Sequence, residues 1–262
     1  MRAQEFINGL RQQGRYSFTL EEAKTTFQKS LVAVKSALHR LKKRGMIISP
    51  ARGFYLVVPP EYQIIGCLPA EMFVDDLMKY LNKPYYVGFL SAAQYYGAAH
   101  QKPQVFQVVT SKNLRSIVCG SIYIKFVTNR LIKKLPVKLF NTASGIIKVA
   151  TPELIIADML ANQRYALGID NVATILLEIA KDIHSDNLKK LMSIYDEAFW
   201  LQRLGYLSDF LGLTDLSGTL EKLLSEKKLK WINLVPSHSY LALERNTKWK
   251  IIINTKIEPD EI

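Results

Sequence analysis

Between Lys29 and Arg52 the chain carries seven basic side chains (Lys29, Lys35, Arg40, Lys42, Lys43, Arg44 and Arg52) and no acidic one. The apolar residues within this stretch are ordered. Leu31, Val34, Leu38 and Leu41 recur at steps of three, four and three, which keeps them on one face of a helix. Ser30 precedes the run as an N-cap. Gly45 closes it just after Lys42-Lys43-Arg44, cations suited to a helix C-terminus. Met46-Ile47-Ile48, a turn over Ser49-Pro50-Ala51-Arg52-Gly53, and Phe54-Tyr55-Leu56-Val57-Val58 then read as a hairpin. A stretch patterned this way is a helix with one buried face and two strands after it, not a loose basic tail.

Two shorter helices are expected upstream. Phe6, Ile7 and Leu10 form an amphipathic turn stopped by Gly14. Thr19 caps a second helix, with Glu22 placed as in a capping box and Leu20, Ala23 and Phe27 facing inward. The order of three helices and a hairpin predicts a winged helix-turn-helix domain over residues 1–60. In the third helix, Lys29, Ser36, Arg40 and Lys43 lie opposite the apolar face, flanked by Val32, Ala33 and His39. Small residues near the helix start admit close approach to base edges, and long cations reach guanine or phosphate. Lys29, Ser30, Ala33 and Ser36 are therefore expected near bases. Lys35, His39, Arg40 and Lys43 complete the expected DNA face, and Arg52 stands at the wing tip.

Charge distribution supports this reading. Residues 1–58 hold 11 of the 35 Lys and Arg and 3 of the 23 Asp and Glu, so +8 of the net +12 lies in them. Such concentration suits a polyanion-binding module more than a general solubility charge. Val58-Pro59-Pro60-Glu61-Tyr62 is a stiff connector, and residues 61–262 are expected to form a second domain. Helices are predicted over residues 69–81 and 88–96. Strands follow over 104–110, 117–119, 122–128 and 137–139. From Thr151 helices dominate, over 152–163, 172–181, 187–194, 197–211 and 219–224, and 249–253 reads as a last strand returning to the sheet. The expected fold class is α+β: a winged helix-turn-helix, then a larger α+β domain with a small mixed sheet and a C-terminal helical part.

Several function classes lack support in the residues. No apolar run approaches the roughly 18 residues of a membrane span, and no signal peptide is read at the start. Cys67 and Cys119 lie in apolar surroundings and read as buried free thiols of a cytoplasmic protein. His39, His100, His184 and His238 show no metal-ligand spacing, so no metal, cofactor or catalytic residue is assigned. Gly120-Ser121 is followed by no acid, which a nucleotidyltransferase would need for magnesium. Glu153 and Asp158 are about 140° apart on a helix and make no acid pair. Thr151 and Pro152 instead read as that helix's cap and first residue, with Glu153 meeting its positive end. The aromatic run from Tyr85 to Gly97 reads as core packing, with a binding surface as the alternative, and Lys133-Lys134 and Lys227-Lys228-Leu229-Lys230 read as solvated basic patches, with an extended nucleic-acid footprint as theirs.

The chain resembles the AbiEi-type antitoxins of type IV toxin–antitoxin systems. The resemblance rests on Leu41-Lys42-Lys43-Arg44-Gly45, the wing Arg52-Gly53-Phe54-Tyr55-Leu56-Val57, Ser91-Ala92-Ala93-Gln94-Tyr95-Tyr96-Gly97, Val149-Ala150-Thr151-Pro152-Glu153 with Asp158, and Gln202-Arg203-Leu204-Gly205-Tyr206-Leu207. It implies an N-terminal domain that binds inverted-repeat promoter DNA and represses its own operon. It also implies a second domain that counters a nucleotidyltransferase-like toxin of the AbiEii type without a stable complex, and a role in phage defence. On the DNA side it carries over to Lys29, Ser36, Arg40 and Arg52; it assigns no residues to toxin neutralisation. Two other readings stay open: a stand-alone regulator whose second domain senses a small ligand, and a DNA-tethered enzyme, against which the missing carboxylate–lysine cluster argues.

Overall fold

In the computed structural model, residues 2–98, 104–195, 198–237 and 244–259 are described. They form an α+β fold divided into two compact units. The first comprises Met1–Val87, Gln104–Lys133 and Leu139–Lys148. The second comprises Gly88–Pro103, Lys134–Lys138 and Val149–Ile262.

The first unit begins with α1 (Ala3–Gln12), β1 (Ser17–Thr19), α2 (Leu20–Phe27), α3 (Leu31–Lys43), β2 (Ile47–Ala51) and β3 (Phe54–Val57). The three strands pair antiparallel in the order β1-β3-β2. Beneath them Phe6, Ile7 and Leu10 of α1, Phe18, Ala23, Phe27, Ile47 and Val57 bury one cluster with Val34, Leu38 and Leu41 of α3. The Phe6 ring meets Phe18 and Phe27 edge-on, with centroids 5.2 and 5.4 Å apart. The expected α3 core stripe needs one correction: Leu31 is 40% exposed. It occupies the first turn, and the stripe enters the cluster only from Val34. The Thr19 cap holds, its side chain accepting from Glu22 N–H at 3.1 Å. The Glu22 carboxylate pairs with Arg15 at 2.8 Å. The turn of the hairpin is tighter than expected. β2 runs on to Ala51 through Pro50, which an edge strand tolerates, and its register with β3 shifts between Ile48 and Ala51.

Further along are α4 (Val74–Tyr80), β4 (Tyr85–Val87), β5 (Val105–Thr110), β6 (Ile117–Cys119), β7 (Ile122–Thr128), β8 (Val137–Thr142) and β9 (Gly145–Ala150). The helix expected over 69–81 is broken at Phe73. Its φ of −138° leaves the helical region while its ring is buried, and a short 3-10 turn, Ala70–Met72, precedes it. The strands form a six-stranded mixed sheet in the order β6-β7-β5-β4-β9-β8, with β5 parallel to β7 and antiparallel to β4.

The second unit is mostly helical: α5 (Phe89–Ala93), α6 (Pro152–Ala161), α7 (Ile169–Ile179), α8 (Ser185–Ile194), α9 (Phe199–Phe210) and α10 (Thr214–Leu224), with β10 (Ile232–Asn233), β11 (Glu244–Asn246) and β12 (Ile251–Ile253). Every residue of α6 from Pro152 to Leu160 is buried, as befits a helix that packs on α5, α7, α8 and α9. The strand expected over 249–253 exists as β12. It joins β10 and β11 in a sheet of its own and does not return to the larger one. The helix start expected at Glu197, and His100 and His238, lie outside the described residues.

Gly205 of α9 packs closely on β12's neighbour Trp249. A Cβ there would fall onto the buried Trp249 ring. Gly205→Ala is expected to cost about 1–3 kcal/mol by overpacking, read as a melting temperature lower by roughly 2–4 °C per kcal/mol. Beside it, Asp209 accepts hydrogen bonds from Ser217, from Trp249 Nε1 at 2.6 Å and from Lys248 at 3.2 Å. Burial pushes its carboxyl up, but these three donors and the Lys248 charge outweigh that and hold it below its ordinary 3.8. A carboxyl depressed in the folded state stabilises above its unfolded pKa, and that stability is lost as pH falls through the folded value. Asp209→Asn should therefore destabilise at neutral pH and flatten the stability profile below about pH 4; equal losses at neutral and acidic pH would contradict this.

Candidate nucleic-acid interface

α2 and α3 are joined by a tight turn. Gln28 closes α2 in the left-handed region at φ 52°, and Ser30 opens α3 by accepting from Ala33 N–H at 3.4 Å. Packing of Val34, Leu38 and Leu41 then sets the rotation of α3. Lys29, Ser30, Lys35, Ser36, His39, Arg40 and Lys43 are all exposed, whereas Ala33 is half-buried at the margin. Ser36, Arg40 and Lys43 follow one another at helical spacing, and Lys35, His39 and Lys42 form the adjacent column. Among the described residues, the recorded salt bridges of the N-terminal helices join Arg15 to Glu22 and Lys24 to Glu21. They leave the α3 cations unpaired. The face is thus a strip of uncompensated positive charge with hydroxyl, imidazole and apolar groups among the cations. Such a strip attracts a polyanion and offers donors to phosphate oxygens and base acceptors. Val32, which flanks the strip at its start, is 75% exposed.

The hairpin is fixed at base and tip. At its base Val57 N–H donates to Tyr16 O, and at its tip Leu20 N–H donates to Gly53 O, both at 2.8 Å. Ser49 Oγ lies 2.8 and 2.9 Å from the carbonyl oxygens of Ala51 and Phe54, holding the bulge. At the tip, Tyr80 Oη of α4 donates to the Arg52 carbonyl at 2.8 Å, and its ring lies 5.3 Å from that of Phe54. Gly53 is required here. Its φ is +81°, and a Cβ would come within 2.6 Å of Tyr80 Oη. Ser17 Oγ donates to Asp76 at 2.7 Å, so α4 also holds β1. The Arg52 side chain stays exposed beyond this anchored backbone. Neither Tyr80 nor Asp76 carried any signal in the sequence, because each acts through a partner far away along the chain.

Several residues of the second unit singled out by family resemblance have structural partners. Glu153 is buried, and its Oε1 accepts from His184 N–H at 2.9 Å and Asn187 Nδ2 at 3.2 Å. It therefore caps the start of α8 and not its own helix. Thr151 holds the N-cap position of α6, but its side chain makes no capping bond, contrary to expectation. Gln202 Nε2 donates to the carbonyls of Lys230 and Trp249 at 2.9 and 2.8 Å. Arg203 donates to Asn233 O at 3.1 Å and Leu160 O at 3.4 Å. Burial lowers its guanidinium to about 10, so it remains charged at neutral pH. Tyr96 Oη donates to Ala150 O at 3.0 Å. No group of three or more potential metal ligands exists among the described residues, and no described helix is long and apolar enough to cross a membrane.

These features define an α+β protein with a small basic module of helices and hairpin at its N-terminal end and a helical unit knit by buried polar groups. In sequence, residues 86–210 match the family of the AbiEi antitoxin C-terminal domain, which supports an AbiEi-type antitoxin and an antitoxin role in a toxin–antitoxin pair. That family is regulatory and non-enzymatic, and a toxin partner is implied by it. The fold is similar to the crystal structure of the RV2827C protein from Mycobacterium tuberculosis, at a TM-score of 0.66 and 15% identity over 95% of this chain and 90% of that one. No curated protein matches the chain in sequence.

The anchored wing yields a direct test. Tyr80→Phe removes one partly exposed hydrogen bond and is expected to cost about 0.5–1 kcal/mol in urea unfolding. It should also speed amide exchange at Arg52 and Gly53; unchanged exchange there would contradict the anchor.

Proposed function

We propose that the chain is a type IV antitoxin that binds double-stranded DNA through a winged helix-turn-helix over residues 1–60 and represses its own operon at inverted repeats. Its functional partner is a nucleotidyltransferase-like toxin of the AbiEii type, countered without a stable complex, and its place of action is the cytoplasm. The observation that carries the DNA reading is the outward strip on α3, which has no acidic partner among the described residues. In this reading α3 lies in the major groove with its N-terminal end at the base edges. Lys29 and Arg40 reach guanine or phosphate, Ser30 and Ser36 donate to either, and Val32 with Ala33 meets a thymine methyl. Lys35, His39 and Lys43 follow the backbone. Arg52 reaches the adjacent groove or phosphate from a wing whose main chain is already held, which lowers the ordering cost of binding. The support for the antitoxin role is the family match across residues 86–210.

Two measurements test this reading. Arg40→Ala and Lys29→Ala should each weaken binding to the chain's own promoter by about 1–3 kcal/mol where a base is read. If about six phosphates are contacted, the slope of log affinity against log salt is about −5; a flat salt response would sink the DNA reading. In the second, the full chain is co-expressed with the neighbouring toxin gene and scored for growth. The Arg40→Ala, Lys43→Ala double variant should lose repression and keep rescue. Loss of rescue by a folded double variant would place antitoxin activity in the basic module.

A further inference from the structure

Cys67 and Cys119, 52 residues apart in sequence, meet in the first unit with their sulfurs 3.0 Å apart. Both are buried and free. We propose that they form a reversible disulfide site, closed by hydrogen peroxide and reopened by a dithiol. A disulfide needs about 2.05 Å between sulfurs, so closure asks for an approach of only about 1 Å. The backbone on both sides is already bracketed. Ser121 N–H, two residues after Cys119, donates at 2.8 Å to the carbonyl of Ile65, two residues before Cys67. Gly66 N–H donates to Tyr62 O at the same distance. The site lies just beneath the surface. β6 is the edge strand of its sheet, and Val118, Gly120 and Ser121 around Cys119 are exposed. Burial of both thiols favours an oxidant the size of peroxide over a protein oxidant.

The two thiols are not equivalent. The Cys67 thiol donates to Cys119, which pushes Cys67 up, and burial adds to that. The same hydrogen bond, helped by the Lys42 charge from α3, draws Cys119 below its ordinary value against the effect of burial. Cys119 is therefore the attacking sulfur. Its thiolate takes one oxygen of peroxide, the O–O bond breaks, and the departing hydroxide takes up the thiol proton as water. This leaves a sulfenic acid. Cys67 then attacks that sulfur; the S–S bond forms, the S–O bond breaks, and the hydroxyl leaves with the Cys67 proton as a second water. Two thiols have lost two electrons and one peroxide has gained them. The closed bond staples the segment after the wing to the β6–β7 turn. The assignment does not rest on the DNA-binding reading.

The test is peroxide treatment of the reduced full-length protein, followed by alkylation under denaturing conditions and intact mass. The expected result is a loss of about 2 Da with no alkylated cysteine, and a peptide joining Cys67 to Cys119. The melting temperature should rise by about 5 °C or more, and dithiothreitol should reverse both changes. In Cys67→Ser the resolving thiol is gone, so Cys119 should gain about 16 or 32 Da as sulfenic or sulfinic acid; in Cys119→Ser, Cys67 should stay alkylatable. The proposal is overturned if wild-type protein keeps both thiols alkylatable, or is over-oxidised at Cys119, under conditions that oxidise Cys119 in Cys67→Ser. Cys119 unreacted in both proteins would overturn it equally.

Discussion

Val34, Leu38 and Leu41 are buried against Phe6, Ile7, Leu10, Phe18 and Phe27. Because a helix turns about 100° per residue, that contact leaves one orientation for everything else on α3. Burial of a large aliphatic side chain stabilises by about 1.5–3 kcal/mol, whereas an exposed ion pair is worth about 0–1 kcal/mol. Apolar packing therefore sets the rotation of the helix, and the cations take the opposite side as a consequence. Mutual repulsion among Lys35, Arg40, Lys42, Lys43 and Arg44 is tolerated because the buried face outweighs it. A bound polyanion would relieve it.

The same logic runs through the helical unit, with polar groups as the buried elements. α6 is buried along nearly its whole length, so the polar groups on it must find partners inside. Glu153 does so at the start of α8, and Arg203 satisfies carbonyls of Leu160 and Asn233. Gly205 is small because Trp249 occupies the space. Glu153, Arg203 and Gly205, which carry part of the sequence resemblance, are thus explained by packing and hydrogen bonding. They specify how this unit holds together.

The legible parts of the sequence were those whose partners lie within a helical turn or across a short hairpin. The α3 stripe, its Ser30 cap, the Gly45 stop and the β5–β7 strands follow from local periodicity. Leu31 deviated because periodicity gives the direction of a side chain but not whether a neighbouring element reaches that far. β1 and β4 escaped notice because each spans only three residues and is defined by pairing with a strand about 20 residues or more away. Tyr80 on the wing, Asp76 on β1, Glu153 on α8 and the Cys67–Cys119 contact share that property. Each is a pair whose members are separated by 28 residues or more. Of the nine side chains expected at the DNA face, eight are exposed and Ala33 is half-buried, since a helix face is a local property.

The most direct measurement of the central claim is lysine-reactivity footprinting of the full-length protein, with and without its own promoter DNA at moderate salt. The account predicts protection of Lys29, Lys35 and Lys43, with Lys189, Lys190 and Lys228 of the helical unit unchanged. Uniform protection across both sets, or none on α3 while the DNA is demonstrably bound, would contradict it.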